Sequence, residues 1–208
     1  MLDTFELPHY ILGHYSKSKI TPLKLQKLLY YVKVWGIVAG VELYQGEFMR
    51  WEHGPVNADV YRQYKSFGRN PIVQPYIESP SFDGLQKELI DFIIAAYVPF
   101  SAISLSAMTH KESPWQDTSP NCIISHDKIL DFYSQQLFAH NFNPFDPIDK
   151  PYFPVQSNSW YAYILDMTTD DVERHTRFSS FQDYQTRLKQ AQADTDDINQ
   201  ALDSLFNL

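Results

Sequence analysis

The chain has 208 residues, 44% apolar and 15% aromatic, enough for one domain with a real core, or a domain plus an appendage, and too apolar for disorder throughout. Its net charge of −8 is unevenly spread: residues 1–140 carry 12 Lys/Arg against 14 Asp/Glu, and residues 141–208 carry 5 against 11. Such a last third repels phosphate backbones and attracts basic partners, so no nucleic acid is expected as a ligand and a basic protein is.

Leu7, Tyr10, Ile11 and Tyr15 recur at helical spacing and predict a first short helix over 4–16. Thr21 and Pro22 then form a helix start, a capping hydroxyl followed by a residue whose missing N–H has no partner in the first turn. Leu25, Leu28, Leu29, Val32, Gly36 and Ala39 give that helix a stripe of about five turns, with Gly40 as terminator. It is expected to be the central core helix.

The period changes in "VELYQGEFMRWEHGP", which predicts a short hairpin or extended arm. Pro55 is expected to open the next helix, over about 55–67, with Val56, Val60, Tyr61, Tyr64 and Phe67 on its buried face. The proline-rich segment 71–84 reads as a loop. A helix follows with Leu85, Leu89, Phe92, Ile93 and Ala96 on one face, then another opened by Ser101 and closed by Ser113 before Pro114. Ser125 caps one more, with Ile129, Leu130, Phe132 and Tyr133 in its apolar part. The fold class is mainly α: a compact helical domain with one short β-hairpin or arm, plus a partly helical C-terminal extension.

Four prolines between residues 144 and 154 act as a connector and place a boundary near residue 140. "SWYAYILDM" fits a strand or a buried helix. "SFQDYQTRLKQAQ" reads as helical. In the terminal stretch, Ile198, Ala201, Leu202, Leu205 and Phe206 form an apolar stripe, while Asp194, Asp196 and Asp197 crowd the expected helix start, where the dipole favours negative charge.

The single Cys122 has no partner for a bridge or a Cys-based metal site, which points to a reducing cytoplasm. No basic-then-apolar leader opens the chain, and no window approaches ~18 uninterrupted apolar residues, so a soluble intracellular protein with no membrane partner is expected.

His53 beside Glu52 is the most tempting catalytic candidate. Neighbouring residues of an extended chain point to opposite sides, however, and no nucleophile motif lies near, so His53 and Gly54 are read as shaping the approach to the helix at Pro55. His9 and His14 are five apart, off one helix face, and no HExxH, CxxC, GxGxxG or GxxxxGK occurs. No catalytic residue, cofactor or metal is expected. His110, Glu112 and Trp115 could form a polar site, but Trp115 after Ser-Pro reads better as a packing plug. Lys24 and Lys27, one turn apart, could meet an anion; a solvated helix face is the preferred reading.

"LKLQKLLYY", an arm ending in Trp51 and "GPV", the Tyr61 helix and "LSAMTHKESPW" occur in order and together resemble the Panacea domain, also called the SocA-like antitoxin domain, across about residues 4–138. The resemblance implies a helical antitoxin domain of bacterial, prophage and phage toxin–antitoxin loci. Its members neutralise unrelated toxins, often by direct binding, and one branch delivers its toxin to a protease. The matched signature residues are Leu25, Lys27, Leu28, Tyr30, Trp51, Gly54, Pro55, Val56, Tyr61, Pro114 and Trp115. They imply fold determinants, not catalytic groups.

The implied function is an antitoxin that binds a cognate protein toxin encoded beside it, the alternative being an adaptor that delivers the toxin to a cytoplasmic protease. Residues 141–208 are expected to help hold the toxin, through Asp194, Asp196, Asp197, Ile198, Leu202, Leu205 and Phe206. Oligomeric state stays open, a homo-oligomer included.

Overall fold

The computed structural model describes residues 4–73, 82–155 and 177–206, with side chains described through residue 193. The segment 159–167 and residues 74–81 of the proline-rich loop lie outside the described residues. The protein is mainly α-helical with one two-stranded antiparallel sheet. It divides into two compact units, Met1–Ala139 with Val155–Asn158, and His140–Pro154 with Ser159–Leu208.

The first unit is built around one helix. α1 (Glu6–His14) precedes α2 (Pro22–Ala39), whose ends follow local rules. The Thr21 hydroxyl accepts the Lys24 amide at 3.3 Å, and Gly40, at φ 68°, closes the other end with its N–H on Gly36 and Ile37 carbonyls. A cap of this kind contributes about 1 kcal/mol, small beside the packing. Leu25, Leu28, Leu29, Tyr30, Tyr31, Val32 and Val34 are each fully buried. Burial thus runs all round α2 rather than along one stripe, because neighbours cover it on every side.

β1 (Met49–Trp51) and β2 (Gly54–Val56) form the expected hairpin, paired Met49–Val56, Arg50–Pro55 and Trp51–Gly54. Its turn is Glu52–His53, while Leu43 and Tyr44 are buried outside the strands. The free edge of β1 is taken by residues 121–124: the Arg50 amide donates to the Cys122 carbonyl at 2.9 Å, and the Arg50 carbonyl accepts the Asn121 amide at 2.8 Å.

Pro55 therefore does not start a helix. It lies in β2, where its fixed φ and missing N–H suit an edge strand equally well. α3 (Ala58–Tyr64) starts after Asn57, whose side-chain oxygen accepts the Asp59 and Val60 amides at 3.1 and 3.0 Å. Tyr61, expected on the buried face, is 40% exposed.

α4 (Gly84–Tyr97) opens with a capping box between Asp83 and Gln86, and buries Leu89, Phe92, Ile93 and Ala96 as expected, but Leu85 is 51% exposed. α5 (Ala102–Thr109) has its Ser101 cap and stops earlier than expected; Pro114 then sits inside a separate single turn, α6 (Ser113–Gln116). α7 (His126–Tyr133) follows Ser125, whose side chain makes no capping bond. Ile129 and Tyr133 are buried and Leu130 is 39% exposed. α2 packs against α1, α3, α4, α5, α7 and β2. Tyr10 and Tyr15 fix α1 to α4 through Asp91, at 2.6 and 3.2 Å. The Trp35 indole of α2 donates to the Tyr97 hydroxyl at 2.7 Å.

The second unit holds the connector and the last helix. Asn141 exchanges two hydrogen bonds with the Phe153 backbone, at 2.8 and 3.0 Å. The Tyr152 amide donates to the Phe178 carbonyl at 3.1 Å, and the Tyr152 ring lies 4.6 Å from Tyr184 and 5.1 Å from Phe181. Those last two belong to α8 (Phe181–Phe206), one continuous helix. Asp194, Asp196 and Asp197 consequently lie in its middle, without the N-terminal dipole that the sequence pattern suggested. Asp183, in the first turn, occupies that favourable place and accepts the Ser179 amide at 2.9 Å.

Candidate functional site

The four sequence segments that carried the family resemblance converge on the hairpin. Three successive carbonyls at its turn are each met by a side chain from the segment 106–115. The Trp115 indole donates to the Trp51 carbonyl at 3.1 Å, His110 Nε2 lies 2.8 Å from the Glu52 carbonyl, and the Ser106 hydroxyl donates to the His53 carbonyl at 2.8 Å. A turn whose carbonyls would otherwise face water is thereby fixed to α5 and α6. Arg50 stacks over the Trp115 ring, 4.4 Å from its centroid.

Behind the turn, α2 supplies two buried polar side chains. Gln26 is 3% exposed; its carboxamide oxygen accepts the Asn57 amide at 2.8 Å and its nitrogen donates to the Asn57 carbonyl at 3.1 Å. Asn57 in turn donates to the Glu47 carbonyl at 3.0 Å. Lys27 is fully buried and donates to the Pro55 carbonyl at 2.9 Å. Gly54, at φ +99°, presses on this lysine so closely that an added Cβ would stand 2.6 Å from Lys27 Nζ and 2.6 Å from Thr109 Oγ1. Only glycine suits both that backbone angle and that space.

The charge of Lys27 is set against Glu112, which receives the Tyr31 hydroxyl at 2.9 Å on one carboxylate oxygen and the Tyr133 hydroxyl on the other. Burial pushes the Glu112 carboxyl up to about 7, against the two phenols and Lys27, which favour its ionised form. Burial likewise brings Lys27 down to about 7, with Glu112 opposing. Low dielectric thus drives both groups toward their neutral forms. The phenols of Tyr31, Tyr97 and Tyr133 are raised well above the usual range, first by burial and then by the carboxylate. This buried group orients backbone: it fixes where β2 and the segment 106–115 lie on α2.

The solvated-face reading of the two lysines is overturned. Lys27 is enclosed, and Lys24, 8% exposed, donates to the Val98 carbonyl at 2.7 Å, where a cation favours the C-terminus of α4. His53 is exposed at the hairpin turn and positions the chain there rather than at a helix start. His110 and Trp115 are in edge-to-face contact at 4.3 Å, so the plug reading of Trp115 holds, with Glu112 directed into the core. His9 stacks on Phe5 and His14 on Tyr10. Among the described residues no three His, Cys, Asp or Glu gather into a metal-binding group, and no single helix is long and apolar enough to cross a membrane.

Of the signature residues, Leu25, Lys27, Leu28, Tyr30, Gly54, Pro55, Val56 and Pro114 are buried. Trp51 is half-buried and packs edge-to-face on Tyr61 at 5.0 Å. Sequence reasoning missed Gln26 and Asn57, and named Glu112 only within a polar site that it set aside. The signal for the first was available: a lysine and a glutamine set between leucines and tyrosines on every side of one helix mark polar groups inside a core, which must be hydrogen-bonded there. The seven tail candidates are backbone members of α8, with Asp194, Asp196, Asp197, Ile198, Leu202, Leu205 and Phe206 side chains outside the described residues.

No curated protein and no solved structure matches the chain. A family model described as "Antitoxin SocA-like, Panacea domain" matches residues 25–116, just under half of the sequence and the part that runs from α2 through the hairpin to α6. Over these residues the chain is similar to the SocA-like Panacea antitoxin domain family.

Proposed function

We propose that the chain is an antitoxin that neutralises a cognate protein toxin by binding it directly, with no catalysis of its own. The observation that carries this reading is the antitoxin-family match over residues 25–116. The roles of its signature residues support it: Lys27, Gly54, Pro55 and Trp115 hold a hairpin in place, which is what a binding scaffold needs and what a reaction does not.

Residues 141–208, outside the matched segment, carry 11 acidic against 5 basic residues and end in α8. We assign this extension to toxin binding, in the cytoplasm. Ile198, Leu202, Leu205 and Phe206 supply apolar anchors, each worth about 2 kcal/mol or more in interfaces of this kind. Asp194, Asp196 and Asp197 offset a basic toxin surface.

Co-expression with the product of the neighbouring reading frame tests the reading. Relief of growth arrest and co-purification of the two polypeptides are the expected results; arrest that persists with both proteins present rejects it. An unchanged toxin half-life beside relieved arrest separates masking from delivery to a protease.

A further inference from the structure

We propose that His110 is a proton-operated latch on the hairpin turn. With a hydrogen on each ring nitrogen it ties the Glu52 carbonyl to the end of α5; loss of one hydrogen releases that tie. The inference is independent of the antitoxin reading.

Both ring nitrogens of His110 face backbone carbonyl oxygens, Nδ1 that of Ser106 at 2.7 Å and Nε2 that of Glu52 at 2.8 Å. A carbonyl oxygen accepts and never donates, so each contact needs a hydrogen on the ring, and a neutral imidazole carries only one. The nitrogen without it turns a lone pair toward an oxygen at hydrogen-bond distance. With the hydrogen kept on Nδ1, Nε2 repels the Glu52 carbonyl. With it kept on Nε2, the ring swings off Ser106 and carries Nε2 away from the turn. Either way the Glu52 contact is lost, and only the imidazolium satisfies both.

The position suits a cation. His110 directly follows the last residue of α5, where the helix dipole is negative. The Ser106 carbonyl it meets belongs to that helix, whereas Glu52 and His53 are exposed at the turn, so the turn is the partner that gives way. The other two contacts on the turn, from Trp115 and Ser106, carry no hydrogen that titrates in the range of an imidazole. Deprotonation therefore loosens the hairpin at its middle point and leaves it attached at two.

Charged groups surround the ring from each side. Glu52 and His53 lie in the turn, Lys111 and Glu112 follow in the same segment, Asp117 ends α6, and Lys27 stands on α2. Arg50 of β1 opposes a second cation, since its guanidinium lies over Trp115, the ring that His110 meets edge-to-face. Glu112 is turned to Tyr31 and Tyr133, and Lys27 to Pro55. Those two titrate in the same region of the fold, so the readout has to be the imidazole itself.

Nuclear magnetic resonance of the full chain through a pH series provides it, following the His110 ring nitrogens, the Glu52 carbonyl carbon and the Trp115 indole hydrogen. The Glu52 carbonyl shift is expected to move with the same midpoint as the ring nitrogens. Protection of the indole hydrogen, relative to a free indole, is expected to fall about fivefold as the ring becomes neutral, the loss of one ordinary hydrogen bond. In His110→Gln, which does not titrate, that step should disappear. A ring that loses a hydrogen while the Glu52 carbonyl stays unmoved overturns the proposal. So does an identical protection course in variant and wild type, which would assign the change to Lys27 and Glu112. Should the variant not fold, the Glu52 carbonyl of the wild type decides alone.

Discussion

The segment matched by the family model and the terminal helix solve opposite problems. Around α2, three polar side chains taken out of water meet partners: Gln26 with Asn57, Lys27 with Pro55, Glu112 with Tyr31 and Tyr133. Along 189–193 of α8 every residue is exposed. The first arrangement over-determines one backbone conformation, because a buried polar group left alone costs about 1–3 kcal/mol. The second leaves five successive residues on the surface. A scaffold held rigid from inside can tolerate change at its periphery.

The sharpest way to break this contrast is Gly54→Ala. The new Cβ would press on Lys27 Nζ and Thr109 Oγ1, both at 2.6 Å, at a φ of +99°. A loss of about 3 kcal/mol or more is expected, read as a lowered urea midpoint for the first unit. A variant with an unchanged midpoint would show that the hairpin is not bound to α2 as tightly as the geometry requires. Asn57→Ala comes next. It removes the cap of α3, leaves the Glu47 carbonyl without its donor, and is expected to cost about 2 kcal/mol by the same measurement.

A pH series sharpens the comparison further. Glu112 is raised from 4.5 to about 7, so its contribution is complete below the unfolded value and is lost as pH rises through 7. Lys27 is lowered from 10.5 to about 7, so its contribution is complete above the unfolded value and is lost as pH falls through 7. Together they place the weakest point of the stability profile near neutrality. Lys27→Met combined with Glu112→Gln is expected to remove that dip, visible as a pH-dependent difference between variant and wild-type urea midpoints. Parallel curves would mean that neither group is shifted in the folded protein.

The smallest effect is expected in the second unit. Tyr152→Ala takes one ring out of the cluster with Phe178, Phe181 and Tyr184. Amide exchange at 178–188 should accelerate about tenfold while protection in α2 stays as it was. Slowed or unchanged exchange at 178–188 would mean that α8 is anchored by something other than these rings.

What was legible in the sequence follows the same divide between local and tertiary causes. Thr21, Pro22 and Gly40 set the ends of α2 through backbone chemistry that acts within one turn, and the chain could be read there directly. Pro55 was misread because its ring angle suits a helix start and an edge strand alike; the hydrogen bonds that decide the matter come from Gln26 and Lys27, 31 and 28 residues away. Lys27 reads as solvent-facing by residue type, and only the packing of other elements around α2 encloses it. The hairpin and the Trp115 plug were visible as motifs, but the reason for Gly54 lies in its contact with Lys27 and Thr109, which are distant in sequence. For the tail, pattern alone located the apolar stripe, while the continuity of α8 through 194–197 moved its aspartates away from the helix start.

The carboxamide of Gln26 has one last consequence. It meets the N–H and C=O of Asn57 as a neighbouring peptide group would, Pro55 offers no amide beside it, and residues 121–124 close the opposite side of the hairpin. The little sheet is therefore finished at both margins. A sheet closed on both sides presents no open backbone ladder on which further chains could accrete.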